Sequence, residues 1–152
     1  MRRGFVVMVL ILIGVGTTAA QERKITRAQL PAAVERTVTV QSGGATIRGF
    51  AEEQENGQTF YELELTVAGH TKDVLMDRRG RVVEVEEEVA LDALPAPVRT
   101  ALLAKAGAGK IETVESLTKK GTLVAYEAHV VTNGKQSEIQ VGPDGKPLAA
   151  EQ

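Results

Sequence analysis

Two short acidic runs are the first candidates for chemistry in this sequence of 152 residues. Their members are Glu52, Glu53 and Glu55 in one run, and Glu84, Glu86, Glu87 and Glu88 in the other. Paired carboxylates can transfer protons when burial shifts the pKa of one of them. Nothing in the sequence around these runs indicates burial, so we interpret both as solvated surface. A weak divalent-cation site is the alternative interpretation.

Residue types that usually catalyse reactions are sparse and scattered. The chain has no cysteine, which excludes thiol nucleophiles and zinc–thiolate sites. None of its three serines, Ser42, Ser116 and Ser137, lies in a nucleophile-elbow motif. Metal sites need closely placed ligands, and the only histidines, His70 and His129, are far apart in the sequence. We therefore predict exposed structural histidines, no catalytic residues, no cofactor or metal site, and no enzymatic activity.

Composition and charge narrow the function classes further. The formal net charge is −2, and it becomes −2 − 2 = −4 if Arg2 and Arg3 are removed with a leader. Nucleic-acid binding requires a basic surface that displaces counterions, so we expect no nucleic-acid partner. Aromatic residues make up only 3% of the chain, so the core must consist mainly of Val, Leu, Ile and Ala.

Residues 1–20 have the layout of a secretory signal peptide. Arg2 and Arg3 form a positively charged start, residues 5–16 are uncharged and mostly apolar, and residues 17–20 are small. A retained transmembrane anchor is the alternative, but a spanning helix needs about 20 apolar residues. We therefore expect cleavage near Ala20, export to the periplasm or the cell exterior, and no stable membrane anchor afterwards.

Two helices are predicted by apolar residues that recur every four positions. Such a stripe lies along one face of a helix. The two stripes consist of Leu30, Val34 and Val38, and of Leu94, Val98 and Leu102. Pro31 and Pro95 suit the first helical turn, where a missing N–H is tolerated.

Segments with a period of two follow each predicted helix and indicate half-buried strands. Short turns such as Ala68-Gly69 and Asn133-Gly134 separate them and force antiparallel pairing. The alternation is broken around residues 47–53 and 111–117, which predicts a bulge in each copy. The outward positions that we select as binding candidates are Glu62, Glu64, Thr66, Glu127 and His129.

The two halves of the chain match each other. Leu30-Pro31 matches Leu94-Pro95 at an offset of 94 − 30 = 64, and Tyr61-Glu62 matches Tyr126-Glu127 at 126 − 61 = 65. One extra residue in the second copy accounts for the change from 64 to 65, and self-similarity at such a spacing is typical of a duplicated unit. We therefore predict an α+β protein of two tandem repeats, 21–90 and 91–152 after the leader. Each repeat is a helix followed by about four antiparallel strands, with the helices covering one sheet face.

The shared pattern resembles the PepSY and PepSY-like family. The resemblance is carried by Leu-Pro-x-x-Val, a glycine hairpin, Tyr-Glu, and a turn of Arg79-Gly80 or Asp144-Gly145, and it covers about Ile25 to Leu148. The tandem form is also similar to the architecture of proteinaceous β-lactamase inhibitors. PepSY modules are exported or membrane-associated bacterial modules that are associated with protease inhibition or regulation. The resemblance therefore implies a binding or regulatory role, and it identifies no functional residue.

These observations lead to two function hypotheses and a weaker third. The leading one is a non-enzymatic binding or regulatory module of the cell envelope, whose partner is an envelope or extracellular protein or peptide. The alternative is a divalent-cation or small-ligand binding protein that uses an acidic sheet face. An enzyme is the third, and it would require a concave polar pocket.

Overall fold

A single antiparallel sheet of eight strands dominates the computed structural model, which describes residues 21–152. The predicted signal peptide lies outside the described residues. The strands pair in sequence order. They are β1 (Gln21–Ile25), β2 (Thr46–Glu55), β3 (Gln58–Val67), β4 (His70–Asp77), β5 (Val82–Glu88), β6 (Lys110–Lys119), β7 (Thr122–Thr132) and β8 (Lys135–Val141).

Two α-helices, α1 (Ala32–Gln41) and α2 (Ala96–Ala106), follow one-turn 3₁₀ helices at Arg27–Gln29 and Leu91–Ala93. Each α-helix begins directly after a proline. The carbonyls of Pro31 and Pro95 accept the first helical hydrogen bonds, from the backbone N–H groups of Glu35 and Arg99. Over the described part of the chain, neither helix has the length and apolar character needed to cross a membrane.

Two-residue turns join the long hairpins. At Asn56-Gly57, Ala68-Gly69, Lys120-Gly121 and Asn133-Gly134, both residues have a positive φ. This conformation matches the twist of antiparallel strands, and glycine adopts it without a steric penalty. The turns therefore set the register between neighbouring strands.

The core lies between the helices and one face of the sheet. Val34 and Val38 of α1 pack over buried side chains of the first strands, among them Leu63, Leu65, Val74 and Met76. In a second cluster, Val98 and Leu102 of α2 pack over Val114, Ala128, Val130 and Val141. The helical stripes predicted from the sequence thus face the sheet.

The other sheet face is formed by the alternate side chains of every strand, and we call it the polar face. Its charged members include Glu22, Lys24, Glu53, Glu62, Glu64, Asp73, Glu84, Glu86, Glu88, Glu115, Lys119, Glu127, His129 and Glu138. No helix of the described residues packs on this face. The polar face is therefore the surface that the fold leaves open.

The predicted fold class, two helix-plus-sheet repeats, is wrong. The strands form one sheet because β5 pairs with β6, from Glu84 opposite Lys119 to Glu88 opposite Glu115. One strand precedes α1, and only three follow α2. The physical reason is that two separate sheets would each leave a row of unpaired backbone groups at the β5 and β6 edges, and pairing satisfies both rows.

Both predicted bulges are present, and further register shifts occur between Leu75 and Met76 and between Leu117 and Thr118. The β2–β3 register shifts between Ile47 and Gly49, and the β6–β7 register shifts between Ile111 and Thr113. The extra residue in β2 is Arg48, so the bulge re-aims one basic side chain beside the polar face.

Candidate functional site

The five candidate residues all lie on the polar face, but they form two separate groups. Glu62, Glu64 and Thr66 are on β3, whereas Glu127 and His129 are on β7. Three strands separate β3 from β7 in the sheet. All five side chains belong to half-buried residues rather than exposed ones. Thr66 is at the end of β3 opposite Thr71 and takes no part in either charged group.

The first group, which we call the Lys24 cluster, consists of Glu22, Lys24, Glu62 and Glu64. The Lys24 ammonium forms an ion pair with Glu64 and is 3.1 Å from a carboxylate oxygen of Glu22. Partial burial opposes the charged form of Lys24, but hydrogen bonds to Glu64 and Glu22 raise its pKa above the ordinary value. Oxygens of Glu22, Glu62 and Glu64 converge closely enough to hold a cation. The Lys24 ammonium already supplies a positive charge to these oxygens.

Arg48 is a second permanent cation beside the Lys24 cluster. Its Nη2 is 2.6 Å from Oδ1 of Asp73, and its Nε donates to the carbonyl of Leu65 at 3.0 Å. Burial nevertheless raises the pKa of Asp73 to about 6, against the effect of Arg48. Lys24 and Arg48 therefore offset part of the negative charge at this end of the sheet.

The second group, which we call the His129 cluster, consists of Glu115, Glu127, His129 and Glu138 on β6, β7 and β8. His129 Nε2 is 3.1 Å from Glu115 Oε2 and 3.8 Å from Glu127 Oε1. On the other side of the ring, Nδ1 is 3.5 Å from Glu138 Oε1. One imidazole thus lies among three carboxylates.

Two sequence-based expectations about His129 do not hold. The side chain is only 29% exposed, so it is not an exposed histidine. It also lies close to potential ligands, Glu127 of its own strand and Glu115 of β6, and the sequence did not reveal Glu115 because it comes from a neighbouring strand. The missed residues are Glu115 and Glu138. The only available signal was their outward position in alternating segments, which they share with many other polar residues.

Electrostatics of the His129 cluster favour added positive charge. A hydrogen bond to Glu115 raises the pKa of His129, against the effect of burial, and the charges of Glu115, Glu127 and Glu138 add to this shift. Burial raises the pKa of Glu127, although a hydrogen bond from Gln140 opposes the shift. Burial and the charge of Glu127 raise the pKa of Glu138. The shift of His129 therefore reflects its carboxylate neighbours, whereas those of Glu127 and Glu138 reflect burial first and neighbouring carboxylates second.

The acidic runs are less solvated than the sequence suggested. Burial, together with Glu115, Glu84 and other neighbouring carboxylates, raises the pKa of Glu86 to about 9. Burial also raises the pKa of Glu53 to about 7. The reason is that their strands are flanked on both sides, so neighbouring side chains remove water. Within residues 21–152, Glu86 has no side-chain hydrogen bond and no ion pair.

The two clusters occupy matched positions of the sheet but carry different residues. Lys24 lies opposite Ala51 in the β1–β2 pair, and Glu88, 64 residues later, lies opposite Glu115 in the β5–β6 pair. The Glu88 carboxylate accepts hydrogen bonds from the backbone N–H and hydroxyl of Thr71. The sheet position that holds Lys24 in the first cluster therefore holds a carboxylate, Glu88, beside the second cluster.

Comparisons with known proteins establish the fold. No protein-family model matches the chain, and no curated protein matches it. A DUF2874 family protein from Bacteroides ovatus has a similar structure, with a TM-score of 0.63 and 22% identity over 79% of this chain and 85% of that one.

Two further solved structures have a similar fold. A BLIP-like protein from Bacteroides fragilis has a TM-score of 0.58 and 21% identity over 80% of this chain and 85% of that one. A protein from Bacteroides eggerthii, described as periplasmic, has a TM-score of 0.63 and 19% identity over 77% of this chain and 84% of that one. The chain therefore has a BLIP-like fold.

Proposed function

We propose that this protein is an exported, non-enzymatic binding or regulatory module whose polar face holds a basic segment of a partner protein or peptide. The observation that carries the proposal is the open polar face itself. Both helices pack on the opposite face, so the polar face has a broad set of half-buried carboxylates with no covering element in the described chain.

The negative charge of the polar face favours a basic partner. Burial raises the pKa of Glu62 to about 8, and Asp73, Glu53 and Glu64 reinforce this shift. A partner that brings lysine or arginine side chains against such carboxylates would relieve their mutual repulsion. Complementary charge of this kind gives specificity and rapid association. A nucleic acid would instead add negative charge to a face that already has an excess.

Export is part of the same proposal. It is supported by the signal-peptide layout of residues 1–20 and by the description of a structural neighbour as periplasmic. The periplasm and the cell exterior are both compatible with this layout. Mass spectrometry of the secreted protein would test it, and a mature chain that begins near Gln21 is the expected result.

Protease regulation is the narrower version of this function, and it rests on the resemblance to PepSY modules. Inhibition assays against proteases exported by the same cell would test it. A lack of any effect on all of them would remove the narrower version while leaving the binding function open.

The binding function can be tested with a basic peptide as the probe. Calorimetry with oligolysine should show binding that weakens as salt rises, because exposed charge interactions are screened. At pH 9, above the pKa of about 8 of Glu62, removing one carboxylate by Glu62→Gln or Glu127→Gln should weaken binding about two- to fivefold. Asp92→Asn is the matched control, because Asp92 lies in the 3₁₀ helix after β5 and outside the polar face.

Cross-linking in an envelope extract extends the test to the natural partner. Wild-type protein and the Asp92 variant should capture the same partner, and Glu62→Lys should lose it. If oligolysine does not bind, or if the Glu62 and Asp92 variants behave alike, the polar face is not the binding surface.

A further inference from the structure

We propose that the His129 cluster is a zinc-type metal site, with His129 Nε2, Glu115 Oε2 and Glu127 Oε1 as its three protein ligands. This inference goes beyond the proposed binding function and does not depend on it. It assigns a ligand to the chemically most distinctive group of residues on the polar face, one nitrogen donor among carboxylates.

The distances fit a tetrahedral ion. Zinc binds histidine nitrogen and carboxylate oxygen at about 2.0–2.2 Å, so neighbouring ligand atoms of a tetrahedron are about 3.3–3.6 Å apart. His129 Nε2 is 3.1 Å from Glu115 Oε2 and 3.8 Å from Glu127 Oε1, on either side of this range. All three ligand atoms lie within 4.8 Å of one another. An ion therefore fits between them after small side-chain adjustments.

Outer partners hold two of these ligands in a suitable orientation. Glu138 Oε1 lies 3.5 Å from the opposite ring nitrogen, Nδ1, of His129. Nε2 hydrogen-bonds with Glu115, so a metal would displace the proton between them, and a carboxylate beside Nδ1 would then favour the tautomer with the proton on Nδ1. Gln140 donates to Oε2 of Glu127 at 2.5 Å and leaves Oε1 facing the histidine.

The surroundings of the cluster lack the cation that its counterpart has. The Lys24 cluster contains an ammonium group that is already paired with Glu64 and Glu22. At the position matched to Lys24, the second half has Glu88, which is bonded to Thr71. The neighbouring Glu86, whose pKa is raised to about 9, has no side-chain hydrogen bond or ion pair among the described residues. An external cation would therefore meet no competing ammonium at the His129 cluster.

The donor set selects the metal class. Calcium takes six to eight oxygen ligands in typical sites, whereas this cluster offers one imidazole nitrogen and two carboxylates. Imidazole suits zinc and other late first-row metals. Three protein ligands also leave a fourth position for water or for a group supplied by a partner.

Calorimetry with the purified protein tests the site, with zinc and calcium chloride as separate probes. Zinc should bind with one ion per chain, and calcium should bind far more weakly. His129→Gln should weaken zinc binding about 100-fold, and Glu138→Gln should weaken it about tenfold through lost orientation. His70→Gln is the matched control, because it removes the other histidine and should leave zinc binding unchanged.

Histidine NMR provides a second measurement that does not require a variant. With only two histidines in the chain, zinc should shift the ring signals of His129 and leave those of His70 in place. Melting curves of each variant without metal should match the wild type, which excludes unfolding as the cause of lost binding. The proposal is overturned if zinc does not move the His129 signals, or if calcium binds as tightly as zinc. Failure of oligolysine binding would leave this result unaffected.

Discussion

The Lys24 cluster and the His129 cluster lie on the same sheet face at matched positions. Both contain several carboxylates close together, but different groups offset the negative charge. Glu62 and Glu127 are equivalent at the offset of 65 residues, but Glu64 corresponds to His129. In the first cluster, the ammonium of Lys24 forms an ion pair with Glu64 and offsets one of the three carboxylates. The second has an imidazole and no permanent cation at the Lys24 position. One backbone arrangement therefore supports either a self-contained ion pair or a site open to an external ligand.

The helix-facing side of the sheet differs in this respect, because the residues at matched positions there have the same roles in both halves. Gly80 lies against the backbone of α1, and Gly145 lies against the backbone of α2. Val34 and Val98, and Val38 and Leu102, are completely buried in the two cores. Packing constrains these positions, whereas the polar face is free to differ between the halves.

The largest expected effect comes from breaking the helix contacts that the two halves share. A Cβ at Gly80 would lie well under 3.0 Å from the carbonyl of Ala33, and a Cβ at Gly145 would lie 2.6 Å from that of Pro97. Gly80→Ala and Gly145→Ala should each destabilise the protein by about 3 kcal/mol, from the clash and the positive φ together. Chemical denaturation measures both.

Gly57→Ala separates the two causes of this loss. Gly57 has the same φ of +76° as Gly80, but a Cβ there would have no neighbour within 4 Å. Gly57→Ala should therefore lower the free energy of unfolding by only about 1 kcal/mol. Equal losses at all three glycines would show that backbone strain alone matters and that the helix contacts do not.

An intermediate effect should appear as pH dependence. The folded protein retains protons on Glu62 and Glu86 up to a pKa of about 8 and about 9, whereas the unfolded chain releases them near pH 4.5. Stability should therefore fall as pH rises from about 5 to 9, because the folded state binds more protons in this range. Glu62→Gln and Glu86→Gln should each add about 1–2 kcal/mol at pH 8.5 and little at pH 5.

The gains in stability from Glu62→Gln and from Glu86→Gln should differ. Glu62 lies close to Lys24, whose charge lowers its pKa, while Glu86 has no such neighbour. Glu86→Gln should therefore give the larger gain in urea unfolding with a chelator present. A stability that does not change between pH 5 and pH 9 would show that these carboxylates are not dehydrated.

The smallest expected effect comes from removing the cation of the first cluster. Lys24→Met leaves Glu22, Glu62 and Glu64 without their ammonium, but the Lys24 side chain is 65% exposed, so solvent screens much of the interaction. The expected loss at pH 7 is at most about 1 kcal/mol, and it should shrink in high salt. Thermal melting at two salt concentrations measures both.

Lys110→Met is the control for this measurement. Lys110 is 78% exposed and has only a 4.0 Å contact with Glu112, so its loss should leave stability unchanged. If both lysine variants melt like the wild type, the Lys24 ammonium does not stabilise the folded protein.

The local elements could be predicted from the sequence because their causes are local. The four-residue stripes indicated both helices, and the alternation of Tyr61, Leu63 and Leu65 indicated β3. Glycine turns gave the hairpins, and broken alternation indicated the bulge at Arg48. Alternation also put all five candidate residues on one face, although it could not show how deeply they are buried.

The arrangement of these elements depended on tertiary structure. The pairing of β5 with β6 joins strands separated by a whole helix, and no local periodicity specifies which edge finds which partner. The His129 cluster depends on the same kind of information, since Glu115, His129 and Glu138 come from three strands. A sequence determines which way each side chain points along its own strand, because that follows from backbone geometry. Only the assembled sheet determines which charges meet and how much water remains between them.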